Sequence, residues 1–301
     1  MKLETALKGY EGALREGNMH IYPVNSCYDR CAHCYMSAVP EHSSKAKYID
    51  KGNLLHFVDL LREDRPKGIH IGLSGGDPLL YPDIVEMLDV LSEHSRLEVL
   101  TSGFALSSRN TKNRKKLLEA LGRSNASFLV ASPEEPYHSI TWDDISEIRQ
   151  YVKEQGFNPN KLGYPSRAGN IANKVLLAST IIGGAVMTIG YLLEKCSDNN
   201  GMPQAIPIGR AKKLPEEQQK FGTRDCTIFE KPGEIYVNYD GNLQYCIYTC
   251  HDGFMNIGEL AEIDEKEEAI QLVLKRLAQN VTFQDMIEHE RCYFSKKIRK
   301  K

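Results

Sequence analysis

This sequence lacks an excess of charge of either sign. Over 301 residues, 38 lysines and arginines face 40 aspartates and glutamates, a net charge of −2. Domains that hold nucleic acid are usually strongly basic, so no nucleic-acid partner is expected. The terminal run Lys296-Lys297-Ile298-Arg299-Lys300-Lys301 is basic, but it reads as a solvated tail. An apolar stretch is missing from the first 26 residues, where charges recur throughout. No secretory signal is therefore expected, and the chain is assigned to the cytoplasm. Internal repeats at solenoid or propeller periods are absent too, as is a recognisable nucleophile–base–acid triad. The composition that remains is 41% hydrophobic and 26% charged, that of an ordinary globular chain with one large domain or two smaller ones.

Long uncharged runs are also scarce, with one exception. Residues 175–193 hold nineteen positions without a charge, close to the roughly 20 that span a bilayer. Val175, Thr180, Ile181 and Ile182 put β-branched residues in the first half, and Gly183-Gly184 falls in the middle. The segment therefore reads as a buried strand, a break and an apolar helix, with no membrane contact expected.

Cysteine is abundant and unevenly placed. Of eight, Cys27, Cys31 and Cys34 lie within eight residues, Cys226, Cys246, Cys250 and Cys292 come late, and Cys196 stands apart. Thiols in a reducing compartment do not form a disulfide framework, so clustering points to metal. Cys196, at the end of the apolar helix, reads as a small buried hydrophobe.

Apolar periodicity gives an alternating order of elements. Strands are expected at 20–25, 68–74, 97–102, 127–131, 175–182 and 205–209, with helices at 53–62, 82–91, 112–121 and 142–155 between them. Repeated βα units imply a parallel sheet, so the fold class is α/β, a partial (β/α)6 TIM-like barrel. After a polar linker at 210–223, strands at 234–239 and 242–246 flank Asp240-Gly241, the dipeptide of a tight hairpin turn. A helix at 265–280 completes a small C-terminal extension. His70, inside a strand, is expected to be satisfied in the core. Tyr137-His138 and Arg167 sit in loops, where a structural or surface role competes with contact to substrate or cofactor.

In Cys27-Tyr28-Asp29-Arg30-Cys31-Ala32-His33-Cys34, thiols spaced by four and three can wrap one face of an iron–sulfur cube. No further cysteine follows for more than 160 residues, so one iron would stay open. Structural zinc would ask for a fourth ligand, and His33 sits too close between two cysteines to serve.

This loop, after the first strand, resembles the signature of the radical SAM superfamily. Gly75-Gly76-Asp77-Pro78 resembles the family's glycine-rich motif after the second strand, with Asp in place of the usual Glu. Thr101-Ser102-Gly103 and Ser132 fall at strand ends where family members carry polar contacts to S-adenosylmethionine (SAM), and His33 stands where an aromatic residue is usual. The resemblance covers residues 18–212. It implies a [4Fe–4S] cluster on Cys27, Cys31 and Cys34, with SAM on the open iron near His33, Gly75, Gly76, Asp77, Ser102 and Ser132. Reductive cleavage of SAM would give a 5′-deoxyadenosyl radical that abstracts a hydrogen atom, with electrons from a flavodoxin- or ferredoxin-type reductant.

Residues 213–301, with Cys226, Cys246, Cys250 and Cys292 around a hairpin, resemble a SPASM or twitch extension, and four cysteines suit one auxiliary [4Fe–4S] cluster. Structural zinc remains open for this set. Cys250 is open to three roles: ligand, hydrogen-atom donor or buried thiol. Other catalytic side chains are not identified. The leading expectation is modification of a ribosomally made peptide by epimerisation or cross-linking, although the roughly twenty residues before the first strand are expected to carry no leader-binding domain. Oxidation of a small molecule of amino-sugar-alcohol type is the alternative, and a non-catalytic iron–sulfur electron carrier or sensor is the alternative of another class.

Overall fold

The structure, a computed structural model, describes residues 3–31, 34, 36–62, 68–93, 95–130, 140–157, 162–163, 234–246 and 253–289. The run at 175–193 and the strand expected at 205–209 lie outside these residues. Among the described residues no helix is long and apolar enough to cross a membrane.

An eight-stranded sheet organises the chain, in the order β10-β9-β8-β1-β4-β5-β6-β7. Its strands are β1 (Asn18–Ile21), β4 (Ile69–Leu73), β5 (Ser95–Thr101), β6 (Ser127–Val130), β7 (Leu162–Gly163), β8 (Ile235–Val237), β9 (Asn242–Gln244) and β10 (Met255–Asn256). The six strands from β8 to β7 all pair in parallel, whereas β9 and β10 are antiparallel. The α/β class and the repeated βα unit are as the sequence implies. The hairpin's first strand, β8, hydrogen-bonds to β1, so one continuous sheet crosses the division expected at residues 212/213.

Strand alternation sorts side chains onto two faces. Met19, Ile21, Ile69, Ile71, Leu73, Leu97, Val99, Phe128, Val130, Ile235 and Val237 are buried together in the main core. The helices bring their own apolar stripes to the same core. In α2 (Lys51–Arg62) these are Leu54, Phe57, Val58 and Leu61; in α3 (Ile84–Ser92) they are Ile84, Met87, Leu88 and Leu91. Leu117, Leu118 and Leu121 of α4 (Thr111–Arg123) and Ile145, Ile148 and Val152 of α5 (Trp142–Glu154) continue the pattern. α6 (Lys266–Gln279) adds Ala269, Ile270 and Val273.

Two helices lie outside the elements expected from periodicity. α1 (Leu3–Glu16) and α7 (Val281–His289) meet in a second core, where Ala6 and Tyr10 pack with Tyr245, Cys246, Leu277, Phe283, Met286 and Ile287. The Tyr10 hydroxyl donates to the Tyr245 carbonyl at 2.6 Å. The hairpin turn falls at Asp240-Gly241, with Gly241 at φ +77° and the Asn238 side chain accepting from the N–H groups of Asp240 and Asn242.

Candidate active site

The C-terminal ends of β1, β4 and β5 gather the chemistry. Past β1, the chain makes two short parallel strands, β2 (Ser26–Cys27) and β3 (Val39–Pro40), which pair Ser26 with Val39 and Cys27 with Pro40. They close the base of the cysteine loop. Asn25 reinforces the closure, donating to the Lys45 carbonyl and accepting from the Lys47 N–H. Across the top, the Tyr28 ring lies 4.8 Å from Phe104, and its hydroxyl accepts from Asn110.

The Gly-Gly-Asp turn is hydrogen-bonded to the segment leading into the first cysteine. The Gly76 N–H donates to the Val24 carbonyl (3.2 Å) and the Asp77 N–H to the Ser26 carbonyl (2.8 Å). Gly75 has φ +109°, and a Cβ on it would stand 2.8 Å from the Tyr22 Cβ. At Gly76 a Cβ would stand 2.0 Å from the Ser26 carbonyl oxygen. Only a bare backbone can run this close to the residue preceding Cys27.

Asp77 is fully buried. Its carboxylate accepts from the Thr101 hydroxyl (2.9 Å), the Ser102 hydroxyl, the Ser102 N–H and the Leu79 N–H. Complete burial pushes this carboxyl above its ordinary value, while the donors from Ser102, Thr101 and Leu79 pull the other way. The side chains of Asp77 and Ser102, expected near SAM, are thus engaged with each other, clasping the turn after β4 to the end of β5.

Three cysteines bring soft thiol donors to one loop. The Cys27 sulfur accepts the Asp29 N–H and the Cys34 sulfur the Ala38 N–H, each at 3.4 Å. Such hydrogen bonds tune cluster-bound thiolates. Burial, and then the nearby Asp77 charge, push the Cys27 thiol far above its usual value; coordination to a metal reverses this by removing the proton outright. Among the described residues, the buried Ser26 hydroxyl has no hydrogen-bond partner. Among the described residues, no three His, Cys, Asp or Glu side chains converge as one metal ion would require. An iron–sulfur cube instead takes its ligands at separate corners. The loop, its sulfur acceptors and the close glycine turn fit a cluster-bound cofactor.

His33, Ser132, Cys226, Cys250, Cys292, Cys196, His138 and Arg167 lie outside the described residues. Cys246 is buried in the second core between α1 and α7.

Sequence reasoning missed the polar face of the sheet. His20, His70, Glu98 and Tyr236 point away from the face that carries the helix-packed apolar residues. His20 faces Glu234 at 3.2 Å, and the Tyr236 hydroxyl donates to the same carboxylate oxygen at 3.0 Å. The His20 ring stacks on Tyr236 (centroids 5.5 Å apart) and covers Gly72, where a Cβ would come within 2.6 Å of it. His70, expected in the core, is instead 31% exposed and stands 3.9 Å from Glu98, because alternation turns it away from buried Ile69 and Ile71. Burial lowers the His70 pKa, partly offset by the Glu98 charge. The available signal was a lone polar residue between apolar neighbours in three strands: Met19-His20-Ile21, Ile69-His70-Ile71 and Leu97-Glu98-Val99. From Tyr236 this face continues to Tyr22 (centroids 6.4 Å apart) and to Met36 and Cys34 of the cysteine loop.

Comparison with known proteins gives consistent findings. The family model of the Radical SAM superfamily matches residues 21–165. A GTP 3′,8-cyclase of Rippkaea orientalis is 26% identical over 269 residues, covering 82% of this chain and 74% of the relative. A probable GTP 3′,8-cyclase of Methanosarcina acetivorans is 24% identical over 283 residues, covering 81% and 83%. A crystal structure of BtrN in complex with AdoMet and 2-DOIA aligns over 89% of this chain and 94% of that one, at 14% identity and a TM-score of 0.48.

Proposed function

With a radical SAM domain over residues 21–165, the chain is a radical SAM enzyme, and we propose that it takes a hydrogen atom from a small polar substrate held on the half-buried sheet face beside the cysteine loop. Cys27, Cys31 and Cys34 would hold the [4Fe–4S] cluster. When bound there, cluster and SAM supply a 5′-deoxyadenosyl radical from an electron delivered by a flavodoxin- or ferredoxin-type reductant. The chain itself binds, orients and shields. The backbone of Gly75-Gly76 would carry the SAM contact, with the Asp77 clasp fixing the ends of β4 and β5 around it. His33 and Ser132 are proposed to complete that site. One auxiliary [4Fe–4S] cluster is proposed on Cys226, Cys246, Cys250 and Cys292.

The observation that carries the small-substrate reading is the polar face itself, with His20, Tyr236, Glu234, His70 and Glu98 next to the cysteine loop. The relatives support it, since their name gives a nucleotide as substrate. Peptide modification by epimerisation or cross-linking is the competing reading.

The test is anaerobic reconstitution of wild type and the Cys27/Cys31/Cys34→Ala triple variant. About eight irons are expected in the wild type and about four in the variant, which loses the SAM-sensitive EPR signal and 5′-deoxyadenosine formation. Deuterated GTP, an amino-sugar alcohol and peptides are then offered in turn. Deuterium reaching 5′-deoxyadenosine from a small molecule supports the reading, and transfer only from peptides sinks it.

A further inference from the structure

The outer rim beside the cysteine loop is basic, and the charge weakens the helix that carries it. α4 begins Thr111-Lys112-Asn113-Arg114-Lys115-Lys116 and has no acidic residue in its first turn. In that turn α1 has Glu4, α3 has Glu86, α5 has Asp143 and Asp144, and α6 has Glu267 and Glu268. Free N–H groups make a helix N-terminus positive, so cations there oppose the helix dipole. Arg109, just before α4, and the exposed Arg30 of the cysteine loop extend the patch. Part of this charge is answered. Arg114 turns inward over the Tyr151 ring and pairs with Glu147, and Asp144 holds Arg109 at 2.7 Å. Glu41 lies close enough for its charge to act on Tyr28. The Lys115 side chain is 72% exposed and 3.8 Å from Glu119. Lys116 is exposed, and among the described residues neither it nor Arg30 has a carboxylate partner. The cations remain in excess.

Direct contacts join this patch to the cysteine loop. Asn110, the residue before α4, donates to the Tyr28 hydroxyl at 3.1 Å. The Arg109 guanidinium lies 5.1 Å over the Phe104 ring, which is 4.8 Å from the ring of Tyr28, the neighbour of Cys27 in the chain. We propose that this rim is the docking surface of an acidic flavodoxin-type electron carrier, which seats its negative surface on α4 and passes one electron into the cysteine loop past Phe104 and Tyr28. The carrier is oxidised by one electron and the group held by Cys27, Cys31 and Cys34 is reduced by one, with no bond made or broken. The inference rests on the radical SAM reading for the electron's destination. Its own support is placement: lysines that weaken their helix stand where opposite charge steers a partner to the cysteine loop. Redox encounters bury little area, and charge sets their on-rate. In keeping with this, no large apolar side chain is exposed on α4 among the described residues.

The experiment uses the full reconstituted chain and an acidic flavodoxin, photoreduced to its hydroquinone, with anaerobic stopped-flow absorbance as readout. Iron–sulfur bleaching by the flavodoxin is expected to slow about tenfold as salt is raised to about 0.5 M. Lys115→Glu/Lys116→Glu should slow it about tenfold at low salt, and Lys115→Gln/Lys116→Gln by a smaller factor. The control, Lys8→Glu/Lys275→Glu, makes the same change in net charge at exposed positions of α1 and α6; it should slow the reaction by no more than about twofold. Dithionite, which needs no docking surface, should reduce every variant at the wild-type rate and leave the SAM-sensitive EPR signal unchanged. Unchanged reduction by flavodoxin in both α4 pairs, or equal slowing in the control, overturns the docking surface and leaves the radical SAM reading intact. Absence of a SAM-sensitive signal from dithionite-reduced wild type would sink that reading instead. Should charge reversal unfold the chain by circular dichroism, the glutamine pair decides.

Discussion

A methyl group at residue 76 would come within 2.0 Å of the Ser26 carbonyl oxygen, a backbone atom that cannot swing aside. Gly76→Ala is therefore expected to displace the start of the cysteine loop. Iron retained after reconstitution should fall to less than half, while far-UV circular dichroism stays near that of the wild type. Asp77 acts differently, through what it accepts. Asp77→Ala leaves the Thr101 and Ser102 hydroxyls and two backbone N–H groups facing a void, at a cost of roughly 3 kcal/mol, read from the denaturant midpoint. Glu234 gives the molecule a pH dependence. Its folded pKa lies below the ordinary 4.5, so its contribution is complete above that value and lost as pH falls through the folded pKa. Glu234→Gln should lower Tm at pH 7, and the gap to wild type should close as pH falls below the folded pKa. The motif cysteines and the Gly-Gly-Asp turn were legible because they are local in the chain. The clasp of Asp77 on Thr101 and Ser102 was not, because it joins residues 24 and 25 positions apart.

At the level of the element, α5 opens with a reciprocal cap. The Thr141 hydroxyl accepts the Asp144 N–H, and the Asp144 carboxylate accepts the Thr141 N–H. Thr141→Ala should cost about 1 kcal/mol, with Thr141→Ser recovering most of it. The expected helices at 53–62, 82–91, 112–121 and 142–155 all have counterparts because each carries an apolar stripe at helical spacing. α1 was not expected although Ala6, Tyr10, Ala13 and Leu14 form one buried stripe along it. The two-residue strand β7 is too short to show any alternation.

The whole molecule is tied together by a pairing that chain order conceals. β8 lies parallel to β1, and the Tyr22 N–H donates to the Val237 carbonyl across more than 200 residues. A chain ending at residue 212 would leave β1 as a bare parallel edge with its apolar face half uncovered, an invitation to aggregate. Residues 1–212 alone are expected in the insoluble fraction. A soluble fragment that holds iron would show that the N-terminal part folds without the hairpin.

The sequence by itself determined the chemistry and the class of fold. Three thiols in one loop, a glycine pair before an acid, and alternating strand and helix patterns are short-range properties, set by side-chain type and backbone period. Tertiary structure decided which polar residues share a surface. His20, His70, Glu98 and Tyr236 lie on four strands drawn from positions 18 to 237, and only the sheet's register sets them on one face with Glu234 beside them. The physical reason is that periodicity fixes which way a side chain points along its own strand. Hydrogen bonding between strands distant in the chain fixes what it points beside.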